Sequence, residues 1–373
     1  MTVEQLRRRV PGGIGAYARG LLSGLAELAT QGDEIDITLF ASRATGHGAG
    51  AARDPLLDFG RPVLLSSWPG PAMTRLWDHG WLGVPKGFDV VHSVSLASPP
   101  RPGHGGGATV ITVHDLAWRR YPEATTKRGR KWHEAALRRA RDSTAHLVVT
   151  SGFVATDLIN DGVAPERITI VQGGSDHLVP PDADAAESVL GSLGVEGDYL
   201  LTVGTLEPRK NVQRLVQAYA KAQGSWPEPW PLVVVGPEGW GPDLTATLHQ
   251  QGVKFAGAVS NGALAGLYQR ARAFAYVPLT EGYGLPPLEA MRSGTPSVVA
   301  LEVPSVHDLG QVGEPAVLLV DPLDIDDIAR GLTTILTDNA VRADLAQRGE
   351  VLARSRSWQD VARAHVELWR SLA

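Results

Sequence analysis

The sequence predicts an α/β protein made of two domains, each built on a doubly wound parallel sheet. The chain has 373 residues, more than one hydrophobic core usually organises. Hydrophobic residues make up 43% of it, which is enough for two cores. Short runs rich in valine and isoleucine alternate with helical patterns along the chain. Such runs are typical of parallel strands covered by helices on both faces.

Six runs are predicted as strands that lead into polar or glycine-rich ends. They are ATVITVHD (108–115), AHLVVTSGF (145–153), YLLTVGTLEPRKN (199–211), WPLVVVGPEGWG (230–241), RAFAYVPLTEGYG (272–284) and TPSVVALEV (295–303). In doubly wound sheets, ligands bind beyond the carboxyl ends of the strands. The glycine, histidine, arginine, lysine and glutamate residues discussed below lie at such ends.

The domain organisation follows from a Pro- and Asp-rich stretch, HLVPPDADAAES (177–188), which we interpret as the linker. This predicts a first domain over 1–178 and a second over 179–356, followed by a closing helix over 357–373. The closing helix should pack through one apolar face. The residues at that spacing are Trp358, Val361, Ala362, His365 and Trp369.

The first domain should open with a strand before PGGIGAYARGLLSGL (11–25), but only MTVEQLRRRV precedes this segment. We expect the chain to start inside that strand, leaving a short, incomplete strand at Thr2–Gln5. A degraded first strand is the alternative.

Composition and charge exclude several classes of function. A net charge of −5 argues against a general nucleic-acid binder. The absence of cysteine excludes disulfides and thiolate chemistry, and it fits a reducing cytoplasm. No stretch reaches about 18 uninterrupted apolar residues, and the N-terminal segment lacks an apolar signal region. We therefore expect a cytoplasmic protein with no membrane span.

The glycine-rich segment PGGIG leads directly into an amphipathic helix. Gly13 and Gly15 would let backbone N–H groups approach an anion at the helix N-terminus. The signal is weak, because the segment is neither a full GxGxxG nor a P-loop. A simple turn between strand and helix is the alternative.

A cation pair follows the strand in VGTLEPRKNV (203–212). The strand should end near Gly204, and Arg209 and Lys210 precede a predicted helix start near Asn211. Arginine grips phosphate oxygens bidentately, and lysine adds a point charge. The pattern predicts a diphosphate site, with a solvated basic pair as the alternative.

Two glutamates lie eight positions apart in PLTEGYGLPPLEAM (278–291). Glu281 precedes a helix that the two prolines begin, and Glu289 lies within its first turns, so they do not share one helix face. A carboxylate can hold the vicinal hydroxyls of a sugar. A glycosidase also needs two carboxylates, about 5–10 Å apart, but it needs no Arg-Lys diphosphate site. Alternatively, a glutamate near a helix start offsets the positive end of the helix dipole, but this explanation fits Glu289 alone and not the whole stretch.

Two further features carry weaker signals. His114 stands at the carboxyl end of the strand TVITVHD, where it could meet a ligand hydroxyl or serve structure alone. The segment KRGRKWHEAALRRAR (127–141) carries seven Lys/Arg and one Glu. Such a helix can rest on an anionic membrane surface, and a solvated helix face is the alternative.

Taken together, these segments resemble the retaining glycosyltransferases of family 4, whose GT-B fold has two facing Rossmann-like domains with a cleft between them. The Arg-Lys pair with the downstream Glu-x7-Glu is the specific part of the resemblance, and the GGIG segment is less specific. The matching segments span nearly the whole chain: PGGIGAYARGLL, ITVHDLAW, VVTSGFVATDLI, VGTLEPRKNVQRLVQAY, FAGAVSNGALAGLYQRARAFAYVPLTEGYGLPPLEAMRSGTPSVVA and RSWQDVARAHVELW. Gly152 is a departure, because the family often has an acidic or aromatic residue there.

The resemblance implies a role for each candidate residue. Glu289 would hold the nucleotide ribose and Glu281 the donor sugar hydroxyls, while Arg209 and Lys210 would neutralise the diphosphate. His114 would lie near an outer hydroxyl of the donor sugar and the reaction centre. The remaining donor-binding positions would act through their backbone: Gly13 and Gly15 as a loop over the phosphates, Val259 at the base, and Gly204, Gly282, Tyr283, Gly284 and Leu285 at phosphate and sugar.

The resemblance also implies a reaction. A hexose, mannose as the first guess, would pass with retention from a nucleotide sugar to a glycan, lipid-linked or small-molecule acceptor. GDP-mannose is favoured over UDP-glucose, because the motif looks most like that of bacterial mannosyltransferases of polysaccharide and lipopolysaccharide assembly. No metal and no other cofactor would be needed. Loops over 43–60, 66–83, 98–107 and 118–134 would select the acceptor, and domain closure would hinge near 177–183.

Other interpretations differ in class. A catalytically impaired nucleotide-sugar-binding protein would bind donor without turnover. An epimerase or a phosphorylase of the same fold is a further alternative, and a phosphorylase would need a lysine that carries pyridoxal. A dehydrogenase is disfavoured, because no GxGxxG follows a strand with an acidic residue about 20 positions on.

Overall fold

A computed structural model of the protein describes residues 1–8, 12–32, 35–43, 55–84, 86–99, 107–239, 252–307 and 315–373. The chain divides into two compact units. The first comprises Met1–Leu116, Thr126–His177 and Ser357–Ala373, and the second comprises Ala117–Thr125 and Leu178–Arg356.

The first unit is built on parallel strands. They are β1 (Leu39–Ser42), β2 (Val63–Ser66), β3 (Val90–Ser93), β4 (Ala108–Val113), β5 (His146–Val149) and β6 (Ile168–Ile170). β1 pairs with β2, and the other four pair in the order β3-β4-β5-β6. Thr2 links the two groups, because it forms parallel bridges with Phe40 of β1 and Ser93 of β3. Its N–H donates to the carbonyl of His92 at 2.8 Å.

The strand predicted at Thr2–Gln5 is therefore reduced to Thr2. Residues Glu4–Arg7 form a 3-10 helix instead. The Glu4 carboxylate accepts hydrogen bonds from the Ser42 N–H at 2.7 Å and the Ser42 hydroxyl at 2.9 Å. Because this carboxylate binds the carboxyl end of β1, the chain turns away from the sheet.

The helices of the first unit are α1 (Gly12–Thr30), α2 (Gly70–Asp78), α4 (Lys127–Asp142), α5 (Gly152–Asn160) and α13 (Trp358–Leu372). α13 packs on α1. A Cβ on Gly20 would lie 2.1 Å from the Trp358 ring, so only glycine permits this approach. The predicted apolar face of the last helix is confirmed, because Trp358, Val361, Ala362, His365 and Trp369 are all buried.

The second unit contains a six-stranded sheet in the order β12-β11-β10-β7-β8-β9, with every pairing parallel. Its strands are β7 (Leu200–Val203), β8 (Leu232–Val235), β9 (Val253–Gly257), β10 (Ala273–Tyr276), β11 (Ser297–Ala300) and β12 (Leu318–Val320). Its helices are α3 (Ala117–Arg120), α6 (Ala183–Ser192), α7 (Val212–Ala222), α8 (Asn261–Arg270), α9 (Leu285–Arg292), α10 (Pro304–His307), α11 (Ile325–Thr337) and α12 (Asn339–Arg354).

This strand order is that of a doubly wound dinucleotide-binding sheet, with its switch point between β7 and β10. From β7 the strand order proceeds towards β8 and β9, and from β10 it proceeds the opposite way towards β11 and β12, so the loops that follow β7 and β10 part and leave a crevice at the carboxyl edge. Apart from Val259, which follows β9, the predicted ligand residues of this unit follow these two strands. Across the described ranges, no helix combines the length and apolar character that a bilayer span requires.

Candidate active site

The turn between β7 and α7 presents the cation pair. Asn211 precedes α7 and adopts the left-handed conformation, with φ 59°. Asparagine tolerates this conformation better than most residues. Its buried side-chain amide donates to the carbonyls of Val277 at 2.9 Å and Pro322 at 2.8 Å. The turn that carries Arg209 and Lys210 is thereby fixed to the segment that follows β10.

The side chains of Arg209, Lys210 and Tyr276 converge on one oxygen of Glu281. Arg209 Nη1 donates to Glu281 Oε1 at 2.8 Å, and the Tyr276 hydroxyl donates to the same oxygen at 2.9 Å. Lys210 Nζ also donates to this oxygen, and it lies 2.8 Å from the Tyr276 hydroxyl. Among the described residues, the other oxygen, Oε2, has no hydrogen-bond partner.

Electrostatics keep this cluster charged. Burial alone would raise the pKa of Glu281, but Lys210 and Arg209 outweigh it and hold that pKa at about 2. Burial lowers the pKa of Lys210, while Glu281 opposes the shift. Glu207 completes the cluster, because it accepts from Arg209 Nε at 2.7 Å. A diphosphate that reaches this cluster would compete with two carboxylates for two oriented cations.

The second glutamate, Glu289, lies on α9 with 7% of its surface exposed. The Tyr268 hydroxyl, from α8, donates to Glu289 Oε2 at 2.8 Å. Burial raises the pKa of Tyr268 well above its usual range, and Glu289 raises it further, so this hydroxyl stays a donor. The two glutamates are electrostatic neighbours, because both carboxylates add to the rise that burial causes in the pKa of Tyr276.

The loop between the two glutamates has a conformation that requires glycine. Gly284 caps α9 with φ 94°, and a Cβ there would lie 2.5 Å from Val303 Cγ1. Ser305 holds the loop from the side: its hydroxyl donates to the Gly284 carbonyl at 2.6 Å and its N–H to the Tyr283 carbonyl at 2.8 Å. Leu285 then begins the helix, whose first N–H groups lack acceptors within it.

Two backbone positions predicted to contact the donor follow the carboxyl ends of β7 and β9. Gly204 follows β7, and its N–H donates to the Val235 carbonyl at 2.9 Å. A Cβ on Gly236 would lie 2.0 Å from the Gly204 carbonyl oxygen, so the ends of β7 and β8 approach closely. Val259 is partly exposed between β9 and Ser260, which caps α8.

His114 follows β4 in the first unit. Its Nε2 donates to the Val94 carbonyl at 2.8 Å, and the Tyr17 ring lies edge-on with centroids 4.9 Å apart. Burial lowers the pKa of His114, although the Val94 hydrogen bond opposes this. Within the described ranges, its Nδ1 has no hydrogen-bond partner. The neutral ring can therefore accept a hydrogen bond from a hydroxyl.

Gly13 and Gly15 require a correction. The predicted loop does not form there, because both glycines lie in the first turn of α1, which begins at Gly12 with φ 61°. Gly15 is buried, and so are Tyr17 and several apolar residues that follow it in the same helix. Tertiary packing of this face overrides the low helix propensity of glycine. Pro11, the first residue of the PGGIG segment, lies outside the described ranges.

The basic segment forms α4. Asp78 of α2 anchors it, because it accepts from Trp132 Nε1 at 2.9 Å and forms an ion pair with Arg139. Four of the seven cations are exposed: Lys127, Arg128, Lys131 and Arg138. The helix thus buries one face and presents cations on its surface.

Sequence reasoning missed four side chains that hold the donor-site residues in place: Tyr276, Tyr268, Asn211 and Ser305. Only Asn211 left a local signal, since asparagine directly before a predicted helix often marks its start. Tyr268 and Ser305 act on groups distant in the chain. Tyr268, for example, binds a carboxylate 21 positions away. Tyr276 contacts Glu281, five positions away, and Lys210, 66 positions away.

Comparison with known proteins gives matches over both units. The family model "Glycosyl transferases group 1" matches residues 192–351, and "Glycosyltransferase Family 4" matches residues 11–177. O-antigen chain mannosyltransferase B of Escherichia coli is 30% identical over 272 residues, which cover 70% of each chain. The serotype-specific mannosyltransferase WbdA of Escherichia coli is 27% identical over 57% of this chain, but over only 26% of its own length.

The solved structure of Anabaena HepE, in complex with UDP and glucose, superposes with a TM-score of 0.73 at 18% identity. It covers 100% of this chain and 98% of its own. Two Rossmann-like units with these matches define a glycosyltransferase of the GT-B class, so the predicted fold is confirmed. The chain belongs to glycosyltransferase family 4.

Proposed function

We propose that the protein is a retaining, metal-independent hexosyltransferase that uses GDP-mannose. The observation that carries the proposal is the convergence of Arg209, Lys210 and Glu281 at the switch point of the second sheet. A nucleotide sugar leaves behind a nucleoside diphosphate, and the negative charge on its phosphates grows as the glycosidic bond breaks. Oriented cations at that point stabilise the transition state more than the ground state.

The two cations supply the charge that a divalent metal would otherwise provide. In the free protein, Glu281 and Glu207 hold Arg209 and Lys210 in place. Because the cations are oriented before the donor binds, little reorganisation is needed when the phosphate charge develops. A contact of this kind lowers the barrier by about 3–4 kcal/mol. This supports catalysis without a metal ion.

The carboxylates act as acceptors of hydrogen bonds. Glu289 would hold the ribose hydroxyls, with Tyr268 fixing its orientation. Glu281 would receive a sugar hydroxyl at Oε2, because its three protein donors all bind Oε1. A carboxylate with a pKa of about 2 is a weak base at neutral pH, which argues against Glu281 as the general base.

Retention then follows from attack on the face that the phosphate leaves. The bond between the anomeric carbon and the phosphate oxygen breaks, and a bond forms from that carbon to the acceptor oxygen. The acceptor proton passes to the departing phosphate. In this scheme His114 Nδ1 accepts a hydrogen bond from a hydroxyl of the donor sugar.

The choice of donor and acceptor rests on the relatives. Two of the relatives described above are named as mannosyltransferases, which favours mannose and an acceptor in polysaccharide assembly. The complex of HepE with UDP and glucose keeps UDP-glucose as the second choice. Acceptor selection falls to the loops over 43–60, 66–83, 98–107 and 118–134, of which residues 44–54 and 100–106 lie outside the described ranges.

A lipid-linked acceptor would place the enzyme at the inner face of the cytoplasmic membrane. The exposed cations of α4 suit this location, since each Lys or Arg near an anionic surface contributes about 1 kcal/mol. Flotation with phosphatidylglycerol vesicles tests it. Binding should fall when Lys127, Arg128 and Lys131 are changed to glutamate, and unchanged binding would contradict it.

The direct test of function is a transfer assay in EDTA. GDP-mannose or UDP-glucose is incubated with a panel of free and lipid-linked mannosides, and proton NMR assigns the anomeric configuration of the product. We expect an α-linked product from the α-linked donor. An inverted product, or transfer that requires added metal, would overturn the mechanism. Donor binding without any transfer would identify a binding protein instead.

A further inference from the structure

A group of three polar rings packs together in the first unit. Tyr17 on α1, His365 on α13 and His114 after β4 form this group, which we call the ring cluster. Tyr17 is 2% exposed and His365 is fully buried. They are 348 positions apart in the chain, yet the Tyr17 hydroxyl lies 3.0 Å from His365 Nε2. The packing of α13 on α1 brings them together.

Hydrogen bonds define the direction of this contact. His365 Nδ1 lies 2.8 Å from the Val361 carbonyl, so Nδ1 carries the proton and donates. Burial lowers the pKa of His365 to about 4, which keeps the ring neutral and leaves Nε2 as an acceptor. The Tyr17 hydroxyl is therefore the donor to His365. This bond fixes the far end of the tyrosine side chain.

The fixed tyrosine ring in turn restricts the orientation of the His114 ring. Its plane is 83° from that of His114, with centroids 4.9 Å apart. The hydrogen bond to Val94 holds one nitrogen of His114. The imidazole could still leave the Val94 carbonyl by turning about its Cβ–Cγ bond, which would release the tautomer, and the Tyr17 ring in contact with it opposes that turn. Two contacts together fix both the plane of the ring and its tautomer.

We propose that Tyr17 and His365 are positioning residues, which hold His114 so that Nδ1 remains an oriented acceptor for a donor-sugar hydroxyl. The inference rests on the proposed function for the contact between His114 and the sugar. It makes the last helix of the chain part of the catalytic apparatus, through Tyr17. Neither positioning residue needs to touch the substrate.

Packing alone does not account for these two residues. A phenylalanine and a leucine would fill the same volumes without burying polar groups, and burying polar groups is unfavourable unless each finds a partner. Here the hydroxyl and both ring nitrogens of His365 are partnered. The cluster therefore specifies one arrangement of rings rather than a merely apolar core.

A double-mutant cycle on sugar transfer tests the proposal. Tyr17→Phe and His365→Leu should each lower kcat about tenfold, with donor KM nearly unchanged, because the nucleotide contacts lie in the second unit. In a His114→Ala background, neither change should lower kcat further. His365→Gln, which restores an acceptor near Nε2, should recover most of the rate.

Tyr219→Phe is the matched control. Its buried hydroxyl donates to the Trp230 carbonyl at 3.1 Å, within the second unit and outside the donor site. It should leave kcat unchanged. If Tyr17→Phe lowers kcat as strongly without His114 as with it, Tyr17 serves only the fold and the proposal is overturned.

A readout without turnover keeps the test separate from the proposed function. Long-range ¹H–¹⁵N spectra report the tautomer of His114, whose signal the His114→Ala variant assigns. We expect one tautomer, protonated at Nε2, in the wild type and a mixture of tautomers in Tyr17→Leu. An unchanged tautomer in Tyr17→Leu overturns the positioning role, even if the protein transfers no sugar. Absence of nucleotide binding, with the tautomer responding as expected, overturns the proposed function alone.

Discussion

Lys210 and Glu281 form a largely buried ion pair, with 12% and 11% of their side chains exposed, although they are 71 positions apart in the chain. Lys210 follows β7 and Glu281 follows β10, and these strands flank the switch point of the second sheet. The doubly wound order explains the pairing, because it brings the loops that follow β7 and β10 to one crevice.

Loss of the lysine charge should slow sugar transfer strongly. Lys210→Ala removes one oriented cation from the developing phosphate charge, which corresponds to about 3–4 kcal/mol, or a fall in kcat of about 100-fold or more. Initial rates of nucleotide release measure this. Lys221→Ala is the control, because Lys221 is exposed and pairs with Asp326 at the surface. A Lys210→Ala enzyme at full rate would refute the diphosphate site.

Glu281 should make the stability of the free protein depend on pH. Its pKa is about 2 in the folded chain, against an ordinary value of 4.5. Its contribution is therefore complete above about pH 4.5 and declines as the pH falls towards 2, because the unfolded chain takes up the proton first. The free energy of unfolding should lose about 2 kcal/mol from this group by pH 3.

Urea unfolding at pH 6 and pH 3 measures this loss. Glu281→Gln cannot titrate at this position, so its stability should fall less over the same interval. Glu350→Gln, at an exposed pair with Arg354, should follow the wild type. Equal pH slopes in wild type and Glu281→Gln would show that the ion pair does not form in solution.

Glu289 and Tyr268 should act on nucleotide binding rather than on chemistry. Glu289→Ala should abolish the rise in melting temperature that a nucleoside diphosphate causes. Tyr268→Phe removes a hydrogen bond to a charged group and should weaken nucleotide affinity about tenfold. Tyr199→Phe, whose buried hydroxyl donates to the Leu267 carbonyl at 2.7 Å, is the control. Wild-type nucleotide affinity in Glu289→Ala would show that Glu289 does not bind the ribose.

Substitutions at two glycines distinguish the stability cost of backbone strain from the cost of a steric clash. Gly284 and Gly294 both have positive φ, at 94° and 73°. A Cβ on Gly284 would meet Val303 at 2.5 Å, whereas a Cβ on Gly294 would meet no atom within 4 Å. Gly294→Ala should cost about 1 kcal/mol of stability, and Gly284→Ala about 3 kcal/mol. Thermal unfolding measures both, and equal losses would contradict the described loop.

The fold was predictable where apolar residues follow one another along a strand. The runs at 108–115, 199–211 and 272–284 each contain an observed strand, because continuous Val, Ile and Ala residues indicate a sheet buried on both faces. Three-residue strands are too short to show a hydrophobic pattern. β6 has three residues and β12 has three, and their partners rather than their own residues define them.

The sequence predicts which residues form the site but not how their side chains contact one another. Motif and spacing indicated Arg209, Lys210 and the two glutamates as donor-binding residues. They did not indicate that Tyr276 joins Lys210 and Glu281, because that contact depends on the pairing of β7 with β10. Tyr17 and His365 are 348 positions apart, so the sequence around either residue does not indicate their contact.

Calorimetric titration of GDP and UDP in EDTA tests the central claim most directly. We expect metal-free binding to the wild type, with GDP the tighter ligand, and marked weakening in both Lys210→Ala and Glu289→Ala. Lys221→Ala should bind as the wild type does. Binding that needs a divalent metal, or that survives both site substitutions, would contradict a diphosphate site formed by these residues.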